Sequence, residues 1–201
     1  MLARFAKAIK PSTWIDSMAP AEGPPPRSLV GFFQWGLSGS FLVLLLSGLA
    51  SVLTGILEVS AALLLGLLVD TALLSNENNP LEKEILLFVG AIAFFLLLRP
   101  IVFGISSYLQ TVVVTPNIYN LILSRLHKWT LGHSVEFFDN DFAGRIAQKE
   151  MQTARAVTDV VVDVLHTVLF ALASVVGAVL MLTAVDSSLA IGLVGWLLAY
   201  L

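Results

Sequence analysis

The chain has 201 residues, 57% of them hydrophobic and only 12% charged, with a net charge of −3. A soluble domain carries about 25% charged residues, so this composition excludes a water-solvated globule and calls for a lipid solvent. The lack of cysteine also excludes disulfides, thiolate catalysis and thiolate metal ligation.

Only helices or closed barrels satisfy the backbone in lipid. Long continuous apolar runs, rather than alternation with period two, exclude the barrel. The predicted fold is therefore all-α: a polytopic membrane protein.

Residues 1–27 are polar and mixed, with Arg4, Lys7, Lys10 and the run Gly23-Pro24-Pro25-Pro26-Arg27. They lack the central apolar run of a signal peptide, and their composition predicts a mobile cytoplasmic tail. Phe5, Ile9, Trp14 and Ile15 offer the alternative of a segment resting on the membrane surface. Residues 28–36 carry Leu29, Phe32, Phe33 and Trp35 at the edge of the first apolar run, where aromatics favour the lipid–water boundary. They read either as a short interfacial elbow helix or as the first turn of the span.

A first span is expected over about 40–74, longer than the ~20 residues a bilayer needs, so it must tilt or project. Ser47, Ser51 and Gly55 recur every four residues and form a small-residue stripe where another helix can pack closely. The turn SNENNPLEKE (75–84) follows, with Asn78, Asn79 and Pro80 as turn formers.

The second span covers about 85–115 and passes through Arg99-Pro100. Pro100 should kink it by removing a backbone hydrogen bond. Beyond Pro116 the segment turns amphipathic: Ile118, Leu121, Ile122, Leu126 and Trp129 keep helical spacing, with Asn120, Arg125 and Lys128 between them. This predicts an extension out of the lipid to about residue 130. A third span follows over 164–185, then the short turn Asp186-Ser187-Ser188 and a fourth apolar run, 189–201, too short to span. The chain is expected to be an N-terminal fragment of a longer protein, cut within its fourth span.

Nine of the 11 Lys and Arg residues lie in the first tail or in 125–155, and a single one, Lys83, lies in the outer turns. By the positive-inside rule the N-terminus and the 131–160 loop are cytoplasmic.

Glu58 and Arg99 are the costly residues, since a charge at mid-bilayer is unfavourable by at least ~2.5–3.5 kcal/mol. Both are equidistant from a point between Asn78 and Asn79, inside the 75–84 turn, so in an antiparallel hairpin they sit at similar depth. They are expected to pair or to line one polar cavity. Such a pair either fixes helix register or serves a substrate pathway. His127, His133 and His166 lack convergent ligand spacing, so no metal site is expected. No nucleophile–base pair and no phosphate-binding loop occurs, so no catalytic residue is assigned.

The loop itself contains SVEFFDNDFAGRIAQKE (134–150). Asp139 can cap a helix N-terminus and Gly144 can close a C-terminus, which predicts one isolated turn over Asn140 to Ala143. Phe137 and Phe138 precede it and Phe142 lies within it.

Glu-Phe-Phe-Asp at 136–139, followed after four residues by Gly144-Arg145-Ile146, resembles the first intracellular loop of ABC exporters. The Leu68-Val69-Asp70 end of the first span is similar to the same family. The chain differs in having Lys149-Glu150-Met151-Gln152-Thr153 after the glycine, and no proline in its first span. The resemblance covers about 28–201 and implies an ATP-driven exporter in which a short coupling helix meets a cytosolic ATPase domain. Phe138, Asp139, Asn140, Asp141, Phe142, Ala143 and Gly144 would make or shape that contact. ATP and Mg would be bound by the ATPase domain, outside this chain. The implied partners are the lipid bilayer, that ATP-binding domain and a second transporter half, identical or not, with no nucleic acid. A membrane module that does not use ATP, its loop docking another partner, is the competing reading.

Overall fold

The computed structural model describes residues 14–74, 82–139 and 143–200. They form helices α1 (Leu29–Leu37), α2 (Phe41–Leu74), α3 (Glu82–Ala93), α4 (Arg99–Tyr108), α5 (Thr115–Leu131), α6 (Val135–Asp139), α7 (Ala143–Asp163), α8 (Leu169–Val185) and α9 (Ser187–Tyr200). No strand occurs among the described residues. The turn formers Asn78, Asn79 and Pro80 lie outside them.

Helices α3 to α5 form one continuous helix, Ile85–Leu131, of 47 residues, and α7 and α8 another, Gly144–Val185, of 42. With Phe41–Leu73 they are, among the described residues, the three helices long and apolar enough to cross a membrane. The most apolar windows of Ile85–Leu131 and Gly144–Val185 are only 6% and 0% buried within the protein. Apolar surface left open on that scale needs lipid around it. This is an integral membrane protein.

The long helices are not uniformly α-helical. π-Helical turns at Phe94–Leu98 and Leu109–Val114 each end one residue before the residue that precedes a proline. The Arg99 N–H bonds the Phe94 carbonyl, five residues back, and the Thr115 N–H bonds Gln110 in the same way. A proline ring collides with the carbonyl four residues earlier. The wider i→i−5 turn ahead of Pro100 and Pro116 gives that ring room, and the helix continues through both. A third such turn, Val164–Val168, contains no proline.

The chain divides into two compact units, one of Met1–Gly48 with Ser107–His166 and one of Leu49–Ser106 with Thr167–Leu201. In the first, α5 packs against α7. Val114, Ile118, Leu121 and Ile122 on one side and Ala154, Val157, Thr158 and Val161 on the other are buried at helical spacing. Residues 14–23 join this unit. Ile15 is buried, the Ser124 hydroxyl donates to the Ser17 carbonyl at 2.7 Å, and the Trp35 indole N–H donates to the Gly23 carbonyl at 3.3 Å. The expected mobile tail is thus corrected for these residues, and Ile15 is covered by protein rather than by the membrane surface. Phe5 and Ile9 lie outside the described residues.

A short helix, α1, runs over Leu29–Leu37 ahead of α2. Ser28 caps it, its hydroxyl accepting from the Gly31 N–H at 3.3 Å. Gly39, at φ +87°, makes the left-handed turn into α2 that a side chain would resist.

In the second unit Gly55, the last residue of the expected small-residue stripe, meets a partner helix. A methyl placed on Gly55 would lie 2.8 Å from the Phe170 carbonyl oxygen and 2.9 Å from the Ala173 Cβ. One on Gly177 would lie 2.9 Å from a Val59 methyl. α2 and α8 therefore approach as closely as glycine allows. Asp186 is the single residue between α8 and α9. Its carboxylate accepts from the Ser188 N–H at 2.8 Å and from the Ser188 hydroxyl at 2.8 Å, capping α9.

Candidate functional site

The loop region is built on the end of α5. Gly132 and His133 close that helix, their N–H groups bonding the Trp129 and Thr130 carbonyls at 3.1 Å each. Ser134 then opens α6, its carbonyl accepting from the Phe137 N–H at 3.1 Å. The rings of Trp129, His133 and Phe137 meet in series across this break. Trp129 and His133 lie 5.2 Å apart between ring centroids, His133 and Phe137 4.5 Å, and Phe137 and Phe138 5.3 Å. His133 Nδ1 lies 3.1 Å from the Trp129 carbonyl and 3.2 Å from that of Thr130, so Nδ1 carries the proton and donates. Edge-to-face and tilted ring pairs of this kind add about 0.5–1.5 kcal/mol each beyond burial.

This ladder corrects the expected caps. Asp139 is the last residue of a short helix, Val135–Asp139, rather than an N-cap, and the isolated turn expected over 140–143 falls mostly outside the described residues. Gly144 is the second residue of α7 and closes no helix. Among the described residues the glycines of positive φ are Gly23 and Gly39, so Gly144 lacks the left-handed geometry of a C-terminal cap. Phe137 against His133, with Phe138 edge-on to Phe137, accompanies helical geometry at 135–139 instead. Asn140, Asp141 and Phe142 lie outside the described residues, and Ala143 begins α7.

A second feature was hidden in the sequence. Arg125, spaced among polar positions of α5, is only 4% exposed. Its guanidinium donates to four backbone carbonyls: Ala19 at 3.1 Å, Trp35 at 2.6 Å, Gly36 at 3.0 Å and Ser38 at 2.8 Å. Three of these belong to the C-terminal end of α1, whose carbonyls have no partner within the helix. A cation at that end also meets the negative pole of the helix dipole. Arg125 thus ties residues 14–23, α1 and α5 together. The Trp35 indole bond to Gly23 closes the same cluster.

The intramembrane charges meet as expected. Arg99 Nη2 lies 2.8 Å from Glu58 Oε2, and the guanidinium sits 5.6 Å from the centre of the Phe103 ring. The pair holds two neighbouring spans at one depth, and the ring adds a cation–π contact. Among the described residues no group of His, Asp and Glu is arranged to hold a metal ion.

Residues 44–201 match the family described as the ABC transporter transmembrane region. An uncharacterized ABC transporter ATP-binding protein of Haemophilus influenzae is 28% identical over 180 residues. Those residues make up 88% of this chain and 28% of that protein, so the chain spans little more than a quarter of the relative. No solved structure matches the chain.

Proposed function

This chain belongs to the ABC transporter transmembrane region family, and we propose that it works as the membrane part of an ATP-driven exporter. In this reading the 131–160 loop receives the displacement of a cytosolic ATPase domain. One observation carries it. The helices flanking the loop have 47 and 42 residues, about twice the ~20 a bilayer requires. Helices of that length are able to carry the loop clear of the lipid, and a push on it would reach both. The 129–138 aromatic ladder stiffens one side of that loop.

Phe138, Asp139, Asn140, Asp141, Phe142, Ala143 and Gly144 are assigned the contact with the ATPase domain. ATP and Mg would be held by that domain, a reading in keeping with a relative named for ATP binding. A second transporter half, identical or not, completes the pathway. The bias of Lys and Arg puts the loop and the N-terminus in the cytoplasm, with a bacterial inner membrane as the location. ATP binding and hydrolysis then shift an inward–outward equilibrium.

The test uses the full-length protein in liposomes, with spin labels on two spans and the label separation measured with and without ATP. Phe142→Ala and Phe138→Ala should retain basal ATPase activity but lose most of the ATP-dependent change in separation. An unaltered change in both variants would refute the assignment.

A further inference from the structure

We propose that the cavity between residues 17–20, α5 and α7 is a ligand site for an apolar molecule carrying an ammonium group, held by the carboxylate of Glu150. This inference does not depend on coupling to an ATPase. The cavity has a volume of about 730 Å³, within the ~300–1,000 Å³ of small-molecule sites. Its walls include Met18, Leu123, Leu131 and Met151, which suit an apolar body.

The charge in this lining sets the headgroup. Glu150 lines the cavity, and its side chain is only 10% exposed. One oxygen, Oε2, lies 3.2 Å from His127 Nδ1. The other, Oε1, is buried and has no hydrogen-bond partner among the described residues. A buried carboxylate with one oxygen unmet is unfavourable, and a charged donor is the group that best offsets it.

The cations nearby do not fill this role. Arg125 also lines the cavity, but its donors are taken by the carbonyls of Ala19, Trp35, Gly36 and Ser38. Lys128 lines it too and is exposed, where its ammonium keeps its water. An anionic ligand would be repelled by Glu150, and a neutral hydroxyl would donate to Oε1 without balancing its charge. A primary amine supplies both the charge and the donors.

The test compares octylamine with 1-octanol, which has the same chain and no charge, by titration calorimetry on the full-length protein in nanodiscs, with empty nanodiscs subtracted. Octylamine should bind at least about tenfold more tightly than octanol. Glu150→Gln should abolish that preference, Glu150→Asp should keep part of it, and Ala147→Trp, which fills the cavity from another lining position, should weaken both ligands. Equal affinity for the two ligands in the native protein, or a preference that survives Glu150→Gln, would overturn the proposal. If Glu150→Gln does not fold, unchanged octylamine binding in Ala147→Trp overturns it equally. Nanodiscs of phosphatidylglycerol, with and without phosphatidylethanolamine, distinguish the sources. Weaker octylamine binding with the ethanolamine lipid assigns the natural ligand to a lipid headgroup, and unchanged binding assigns it to a soluble amine.

Discussion

Replacing Gly55 by alanine is the most discriminating test of the helix packing. The added methyl would stand 2.8 Å from the Phe170 carbonyl oxygen, 2.9 Å from the Ala173 Cβ and 3.1 Å from the Ser174 hydroxyl. The hydroxyl can rotate away, but the carbonyl belongs to the α8 backbone and moves only with its helix. Overpacking of this kind costs about 1–3 kcal/mol. Alanine also regains up to ~1 kcal/mol of helix propensity over glycine, which hides part of the clash. Gly66→Ala supplies the correction. It lies in the same helix and its added methyl meets nothing within 4 Å, so it reports the propensity gain alone. The difference between the two variants, read from unfolding midpoints of the full-length protein in mild detergent with increasing SDS, should be about 1–3 kcal/mol. Ala173→Gly added to Gly55→Ala should recover only part of it, because the carbonyl contact remains. Equal midpoints for Gly55→Ala and Gly66→Ala would refute the close approach of α2 and α8.

Other expectations follow from the same structure. Glu58→Gln and Arg99→Met should each destabilise the protein more than the double replacement, with a coupling of about 1–3 kcal/mol in a double-mutant cycle. Additive effects would mean that the pair contributes nothing. Arg125→Lys leaves one ammonium where four carbonyls were met, so limited proteolysis between residues 14 and 28 should quicken several-fold while cleavage elsewhere holds steady. Asp186 has a pKa below the usual carboxylate value because the Ser188 N–H and hydroxyl bond its charged form. Its cap therefore stabilises α9 above the ordinary carboxylate pKa and weakens as the pH falls through the lowered one. Hydrogen-exchange protection at Ser188 and Leu189, relative to the intrinsic rates, should fall at acidic pH in the native protein, and Asp186→Asn should remove that pH dependence.

The class, the spans and the Glu58–Arg99 pair were legible because lipid leaves few alternatives. A run of apolar residues has to be a helix there, and two charges at one depth have strong reason to meet. Gly55 was legible for a similar reason, since small residues spaced by four mark close packing. The Arg125 clamp was not. A basic residue among polar positions reads as solvated, and its acceptors are backbone carbonyls, which leave no trace in a sequence. The packing of residues 14–23 was hidden with it, because their polar composition describes a tail unless something collects their carbonyls. The π turns escaped notice although Pro100 and Pro116 announced a problem in the ladder. Proline states that a bond is lost but not how the helix adapts. The aromatic ladder left only its rings as a signal, Trp129, His133 and Phe137, because the helix breaks among them. That signal was overshadowed by the glycine and aspartate that suggested a turn further on.

The clamp at Arg125 has a consequence for how this part of the chain can drift. All four of its acceptors are main-chain oxygens, so it is indifferent to which side chains stand at positions 19, 35, 36 and 38. Most exchanges at Ala19 or Ser38 would go unread by the guanidinium. A change that reroutes the main chain, such as an inserted residue between Ala19 and Gly23, would withdraw an acceptor and leave a buried cation short. The N-terminal segment is thus constrained in its path and free in its spelling.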